Sequence, residues 1–378
     1  MPQEPVQPIP PDDTDNRPPR GTGLCLSGGG YRAMVFHVGA LWRLYETNLL
    51  GRFDRISSVS GGSITAATLA LKWRALSFDG TQVEQDFVRE VVKPIRGLAG
   101  ETIDAESVIL GALLPGNVSD RVAGAYESHL FGKATLQDLP DAPRFVINAT
   151  NVQSGVLWRF MKPYMRDYRV GEVKRPTVSL AKAVAASSAF PPVLSPVHLR
   201  LEPSDFTAGS GTDLQREPFT RKVVLTDGGV YDNLGLETVW KRCETVLVSD
   251  GGGQMQAEEE PKSDWARHAY RVLDMVDNQV RALRKRQLID SFEQRTRKGT
   301  YWGIRTDIAD YALADALACP HERTLELART PTRLKRMDDR LQERLINWGY
   351  AVCDAALRKH LDPGLKRPAR FPYPAAGV

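Results

Sequence analysis

With 378 residues, 42% of them hydrophobic and 25% charged, the chain is long enough to bury a sizeable core in one domain or two. A formal net charge of +4 is too small to imply a nucleic-acid partner, and no RNA- or DNA-binding motif is present, although a weakly basic surface is compatible with peripheral contact to an anionic membrane. No stretch approaches the ~20 apolar residues of a membrane span, and the scattered Cys25, Cys243, Cys319 and Cys353 lack metal-type pairing and are expected as reduced thiols, two or three of them buried.

Residues 1–20, MPQEPVQPIPPDDTDNRPPR, have no apolar run to act as a leader and leave nothing to bury. They read as a disordered tail, and the chain as cytoplasmic. A strand over Gly23–Ser27 then runs through Gly28-Gly29-Gly30 into a helix at 31–47. A second strand, Arg55–Val59, ends at Ser60 and is followed by a helix over Ser63–Trp73. Strand, glycine turn and helix, twice over, predict an α/β fold with a mostly parallel sheet. Residues 76–140 are mixed and mostly helical, with loops expected around Pro94, Pro115 and Pro140. Arg144–Thr150 is a strand that pairs with Val156–Phe160 as a hairpin. Ser179–Ala189 is an alanine-rich helix stopped by Pro191-Pro192, and residues 202–220 are a polar loop. Strands follow at Lys222–Thr226 and Thr245–Ser249. From about Pro261 the composition turns to charged helical patterns, with helices over Trp265–Arg297 and Thr332–Leu361 and a short strand at Tyr301–Ile304.

Three stretches carry chemistry. Ser58-Val59-Ser60-Gly61-Gly62-Ser63 joins an apolar strand to a helix, the setting of a nucleophile elbow that pushes a serine out of the sheet. Ser58 stands where the usual G-x-S-x-G has its first glycine, and it is still small. Gly28-Gly29-Gly30 exposes successive N–H groups at a helix start, which suits an oxyanion or a phosphate. Gly28, Gly30 and Ala33 also fit the dinucleotide pattern G-x-G-x-x-A, but Ser60 stands at the strand end where that fold needs an acidic ribose ligand. Asp227-Gly228-Gly229 follows the apolar strand Val223-Val224-Leu225 and places a carboxylate where a catalytic base would sit.

Together the three stretches resemble the patatin-like phospholipases. That family pairs a glycine-rich loop ending in Arg or Lys, here Arg32, with a serine elbow and an Asp-Gly-Gly or Asp-Gly-Ala motif. The resemblance covers about residues 22–245 and includes the small-residue corner Ala185–Pro192. It implies a three-layer patatin-like fold in which a catalytic domain over 22–245 is joined by a C-terminal helical extension over 260–362. It also implies a Ser60–Asp227 dyad that cleaves acyl esters of a phospholipid or lysophospholipid, with no metal or cofactor. The oxyanion would sit on Gly28, Gly29, Gly30 and Gly61, with Arg32 facing that loop or a lipid phosphate.

Two other readings remain open. A histidine-dependent esterase would use Ser60, Asp227 or Asp250, and His268 or His321, in that chain order. A non-catalytic lipid-binding regulator would keep the fold without the reaction. His37 is expected to pack beneath the glycine loop. Basic clusters at Arg281, Arg284, Lys285, Arg286 and at Arg333, Lys335, Arg336, Arg340 are either solvated helix faces or contacts for anionic head groups. Oligomeric state is not legible.

Overall fold

The computed structural model describes residues 20–78, 82–103 and 118–378. The expected tail, apart from Arg20, and the loop expected at Pro115 lie outside them. The frame begins as strand–helix–strand–helix: β1 (Thr22–Leu26), α1 (Gly30–Glu46), β2 (Arg55–Val59) and α2 (Gly61–Lys72). A widened helical stretch, Val83–Val92, continues into α3 (Lys93–Ala99), followed by α4 (Val118–Tyr126). Pro94 therefore lies within a helix rather than in a loop. It stands just past the junction where the widened stretch gives way to α3.

An antiparallel run follows: β3 (Arg144–Asn151), β4 (Val156–Phe160), β5 (Tyr164–Asp167) and β6 (Gly171–Lys174). Then come α5 (Leu180–Ser187), β7 (Val197–Arg200), β8 (Lys222–Asp227), the single turns α6 (Gly229–Asp232) and α7 (Glu237–Trp240), and β9 (Thr245–Asp250). The C-terminal part contributes α8 (Trp265–Glu293), β10 (Lys298–Gly303), α9 (His321–Ala328) and α10 (Asp339–His360). The last helix starts later than Thr332 because the Asp338 carboxylate caps it, accepting from the Leu341 N–H.

The ten strands of the described residues form one sheet, whose main path runs β10-β9-β1-β2-β3-β4-β5-β6. The stretch from β10 to β3 is parallel. Such strands are buried on both faces, and β1 divides its side chains accordingly. Leu24 and Leu26 join the large core with α1, α2, α3 and α10, while Cys25 joins a smaller one with Val246, Val248, Leu236, Val239 and Leu288. The architecture is thus helix, sheet, helix. All four cysteines are buried and unpaired, against two or three expected.

Helix α1 is buried along nearly its whole length because α10 lies across it. The crossing is backbone on backbone. A Cβ at Gly39 would stand 1.9 Å from the Ile346 carbonyl oxygen, and one at Gly349 would stand 2.0 Å from that of Phe36. Beside it Arg43 pairs with Asp354 at 2.8 Å, both buried, and Arg358 holds the other carboxylate oxygen at 3.0 Å. Among the described residues no helix is long and apolar enough to cross a membrane.

Candidate active site

Strand β3 acts as a ruler for the site. Its first part pairs with β2 up to Val59 opposite Asn148. From Ala149 onward the same edge pairs with β8, which runs the other way and ends with Asp227 opposite Ala149. The opposite edge of β3 is taken by β4. Two strands therefore meet head-on along one edge, and the residues at their ends, Ser60 and Asp227, come together although 167 positions separate them. The Thr150 hydroxyl fixes the meeting point by donating to the Asp227 carbonyl at 2.8 Å.

Ser60 turns the chain from β2 into α2 with φ 51° and ψ −121°, a conformation that side-chain-bearing residues rarely adopt. Contacts around the turn hold it in place. Its N–H donates to Ser187 Oγ at 3.0 Å, and the Ser187 hydroxyl donates to the Asn148 carbonyl at 2.6 Å. Ser63 Oγ joins Ser187 Oγ at 2.9 Å and Ser58 Oγ at 3.0 Å. Ser187 also accepts from the Gly228 N–H through its carbonyl at 3.2 Å, so one residue braces both the serine turn and the aspartate loop. Small residues are required as well: a Cβ at Gly61 would lie 2.1 Å from the Gly30 carbonyl oxygen, and one at Gly62 would lie 2.4 Å from that of Leu26.

Asp227 is 2% exposed, and its Oδ1 accepts from the Gly229 N–H at 2.7 Å. Burial pushes the carboxyl up to about 7, against the stabilising Gly229 N–H and Ser60 hydroxyl; the Asp277 carboxylate adds to the rise. Oδ2 is buried with no partner in full hydrogen-bonding geometry among the described residues, and Asp227 lines the cavity. A carboxylate of this kind titrates where a general base works best.

The glycine loop divides its labour. The Gly28 N–H is engaged with the Asn233 carbonyl at 3.0 Å, so it is not free for an oxyanion. Gly29 (φ 142°) and Gly30 (φ 60°) line the cavity beside Ser60, and their N–H groups have no acceptor among the described residues. The next amide, that of Tyr31, donates to the Arg333 carbonyl at 3.0 Å. Arg32 does not reach the cavity. Its guanidinium is buried behind the loop, on the carbonyls of Gly251 and Thr330. Gly61 also lies outside the lining and matters for the close approach of α2 instead. His37 sits under the loop as expected: Nε2–H donates to the Ser27 carbonyl at 2.9 Å, and Nδ1 accepts from the Ser249 hydroxyl at 2.8 Å. Burial lowers this ring to about 4, so it is neutral.

The cavity has a volume of about 480 Å³ and is lined by Gly29, Gly30, Ser60 and Asp227 at its base. One wall is apolar, from Phe190 through Leu194 with Met255 and Leu334. Another comes from α8 and is polar, with Tyr270, Asp274, Asp277, Asn278 and Arg281. Sequence reasoning missed Ser187 and, apart from Arg281, the α8 wall. Nothing in the local pattern of α8 marks its inward face, whereas Ser187 lay within a recognised small-residue corner. No histidine lines the cavity: His268 is exposed on α8, and His321 stands 3.9 Å from Asp307 at the start of α9.

A family model described as patatin-like phospholipase matches residues 24–240. Human GIVD cytosolic phospholipase A2, solved with methyl gamma-linolenyl fluorophosphonate, superposes with a TM-score of 0.50 at 15% identity, over 89% of this chain and 57% of that one. A second structure of human GIVD cytosolic phospholipase A2 matches at a TM-score of 0.40 and 15% identity, over 64% of this chain and 49% of that one. VipD from Legionella pneumophila matches at 0.37 and 15%, over 90% and 67%. The chain thus spans about half the length of the human protein it matches. No curated protein sequence matches it.

Proposed function

The chain belongs to the patatin-like phospholipase family, and on that premise we propose that it hydrolyses lipid acyl esters with Ser60 as nucleophile and Asp227 as general base. The observation that supports the reading is the pair itself: a serine on a strained turn and a buried carboxyl pushed up to about 7, both lining one cavity.

Asp227 takes the Ser60 proton as Oγ attacks the ester carbonyl. The negative charge that develops on the carbonyl oxygen is met by the Gly29 and Gly30 amides, and one such donor contributes about 2.7–4 kcal/mol to lowering the barrier. Asp227 then returns the proton to the departing alkoxide, leaving Ser60 acylated. A water molecule, deprotonated by the same carboxylate, attacks the acyl group and restores the serine. The apolar wall from Phe190 to Leu194 suits an acyl chain, and the substrate is the acyl ester of a phospholipid or lysophospholipid.

A short p-nitrophenyl ester and a fluorophosphonate probe test this. Ser60→Ala and Asp227→Asn are expected to lose at least about 10³-fold in turnover, and the probe to label Ser60 alone. His268→Ala and His321→Ala are expected to stay near wild type. Loss of turnover in a histidine variant would favour the histidine-dependent esterase. An unlabelled wild-type chain would favour a binding protein.

A further inference from the structure

A second pocket, of about 240 Å³, lies beside the first, between α8 and the ends of β9 and β10. Gln254, Asn278 and Arg281 belong to the walls of both, so the two cavities adjoin across these side chains. At about 30 Å³ per water it has room for a phosphoryl group and the first atoms of its ester.

The charged lining is Arg281, Lys285 and Arg305 against a single carboxylate, Asp250. That carboxylate is already engaged. Oδ1 accepts from the Gly252 N–H at 2.9 Å, and Oδ2 accepts from the Tyr301 hydroxyl at 2.8 Å. Among the described residues none of the three cations forms an ion pair. Arg281 donates to the Gly253 carbonyl, and the Lys285 ammonium lies 4.4 Å from the centre of the Tyr301 ring. Arg305 Nη1 is buried with no acceptor, and an orphaned buried donor calls for an explanation such as an absent ligand. The cations also crowd a fourth. Burial first, then Arg281 and Arg305, lower the pKa of Arg32 to about 10, only partly offset by Asp250. An anion in the pocket would relieve that repulsion and give the orphaned donor its acceptor. Three cations converging from a helix and a strand end suit the several oxygens of a phosphate better than the two of a carboxylate.

We propose that the pocket formed by Arg281, Lys285 and Arg305 binds a phosphate group, that of a lipid head group whose acyl chain occupies the larger cavity. All three residues lie beyond the 24–240 family match. The assignment to a substrate rests on the hydrolase reading; the phosphate site itself does not.

The experiment has two arms, each comparing the wild-type chain with a Lys285→Gln, Arg305→Gln variant whose thermal melt shows it folded. In the first, calorimetric titration with inorganic phosphate is expected to show affinity falling at least about tenfold in the variant, the size of one charge-assisted hydrogen bond. In the second, turnover of a diacyl phospholipid is compared with that of the diacylglycerol carrying the same chains, in mixed micelles. The ratio of the two kcat/KM values is expected to fall about tenfold in the variant. A fall in this ratio identifies the head group as the source of the phosphate. Lost phosphate binding with an unchanged ratio identifies free phosphate. If neither quantity moves, the proposal is overturned. Phosphate binding through these cations in a chain that hydrolyses no ester would sink the hydrolase reading and leave the site standing.

Discussion

At Asp227 catalysis and stability pull in opposite directions. The folded carboxyl titrates at about 7, against ~3.9 in an unfolded chain. Between those values the folded state binds the extra proton, so stability falls as pH rises from about 4 to about 7 and then levels. Asparagine keeps the acceptor for the Gly229 N–H without the ionisation. Asp227→Asn is therefore expected to gain on wild type across that window, with a ceiling of about 4 kcal/mol above pH 7, read from thermal or urea melts at several pH values. Activity has the opposite dependence. The base works when ionised, so wild-type kcat/KM is expected to rise about tenfold per pH unit below 7 and flatten above it. A flat profile between pH 5 and 8, or a variant that gains no stability at pH 8, would show that the carboxyl is not desolvated as described. The sequence placed Ser60 and Asp227 at strand ends, where strong local signals exist. It could not show that Gly28 and Arg32 face away, because that depends on which carbonyls, from Asn233, Gly251 and Thr330, reach them across the fold.

Among the elements, strands β1, β2, β3, β4, β8 and β9 were legible: each lies within two residues of a glycine or a proline and follows the expected span within a residue or two. The four-residue strands β5, β6 and β7 were not, since so short a run carries no resolvable alternation and its pairing is decided by neighbours. Helix α9 was missed because only its buried Thr324, Leu327 and Ala328 mark an inward face. The close approach of α2 to the glycine loop gives a test at this scale. In Gly61→Ala the new methyl would stand 2.1 Å from the Gly30 carbonyl oxygen, a backbone atom with no freedom to swing aside. A stability loss of about 1–3 kcal/mol is expected, with a larger proportional loss of short-ester turnover, because Gly30 is itself part of the cavity. Equal melting temperatures for variant and wild type would mean that α2 and the loop move apart more easily than their packing suggests.

The whole molecule does not divide where the family match ends. Helix α1 has almost no exposed surface, and α10 covers much of it through the Gly39 and Gly349 crossing. We expect a fragment of residues 20–245 to lack cooperative unfolding and native near-ultraviolet circular dichroism, having lost the partner that buries α1. A fragment that melts cooperatively would show that the C-terminal helices are an accessory layer.

The segment around Thr330 to Arg333 carries this dependence into the chemistry. Its carbonyls grip the Tyr31 amide and the Arg32 guanidinium, immediately after the turn that presents Gly29 and Gly30. Transplanting the matched portion into a related scaffold would bring along nucleophile and base but leave behind the splint that sets the amides' aim. Reactivity in this protein is therefore not a portable cassette: the far end of the polypeptide holds the tool steady while the near end cuts.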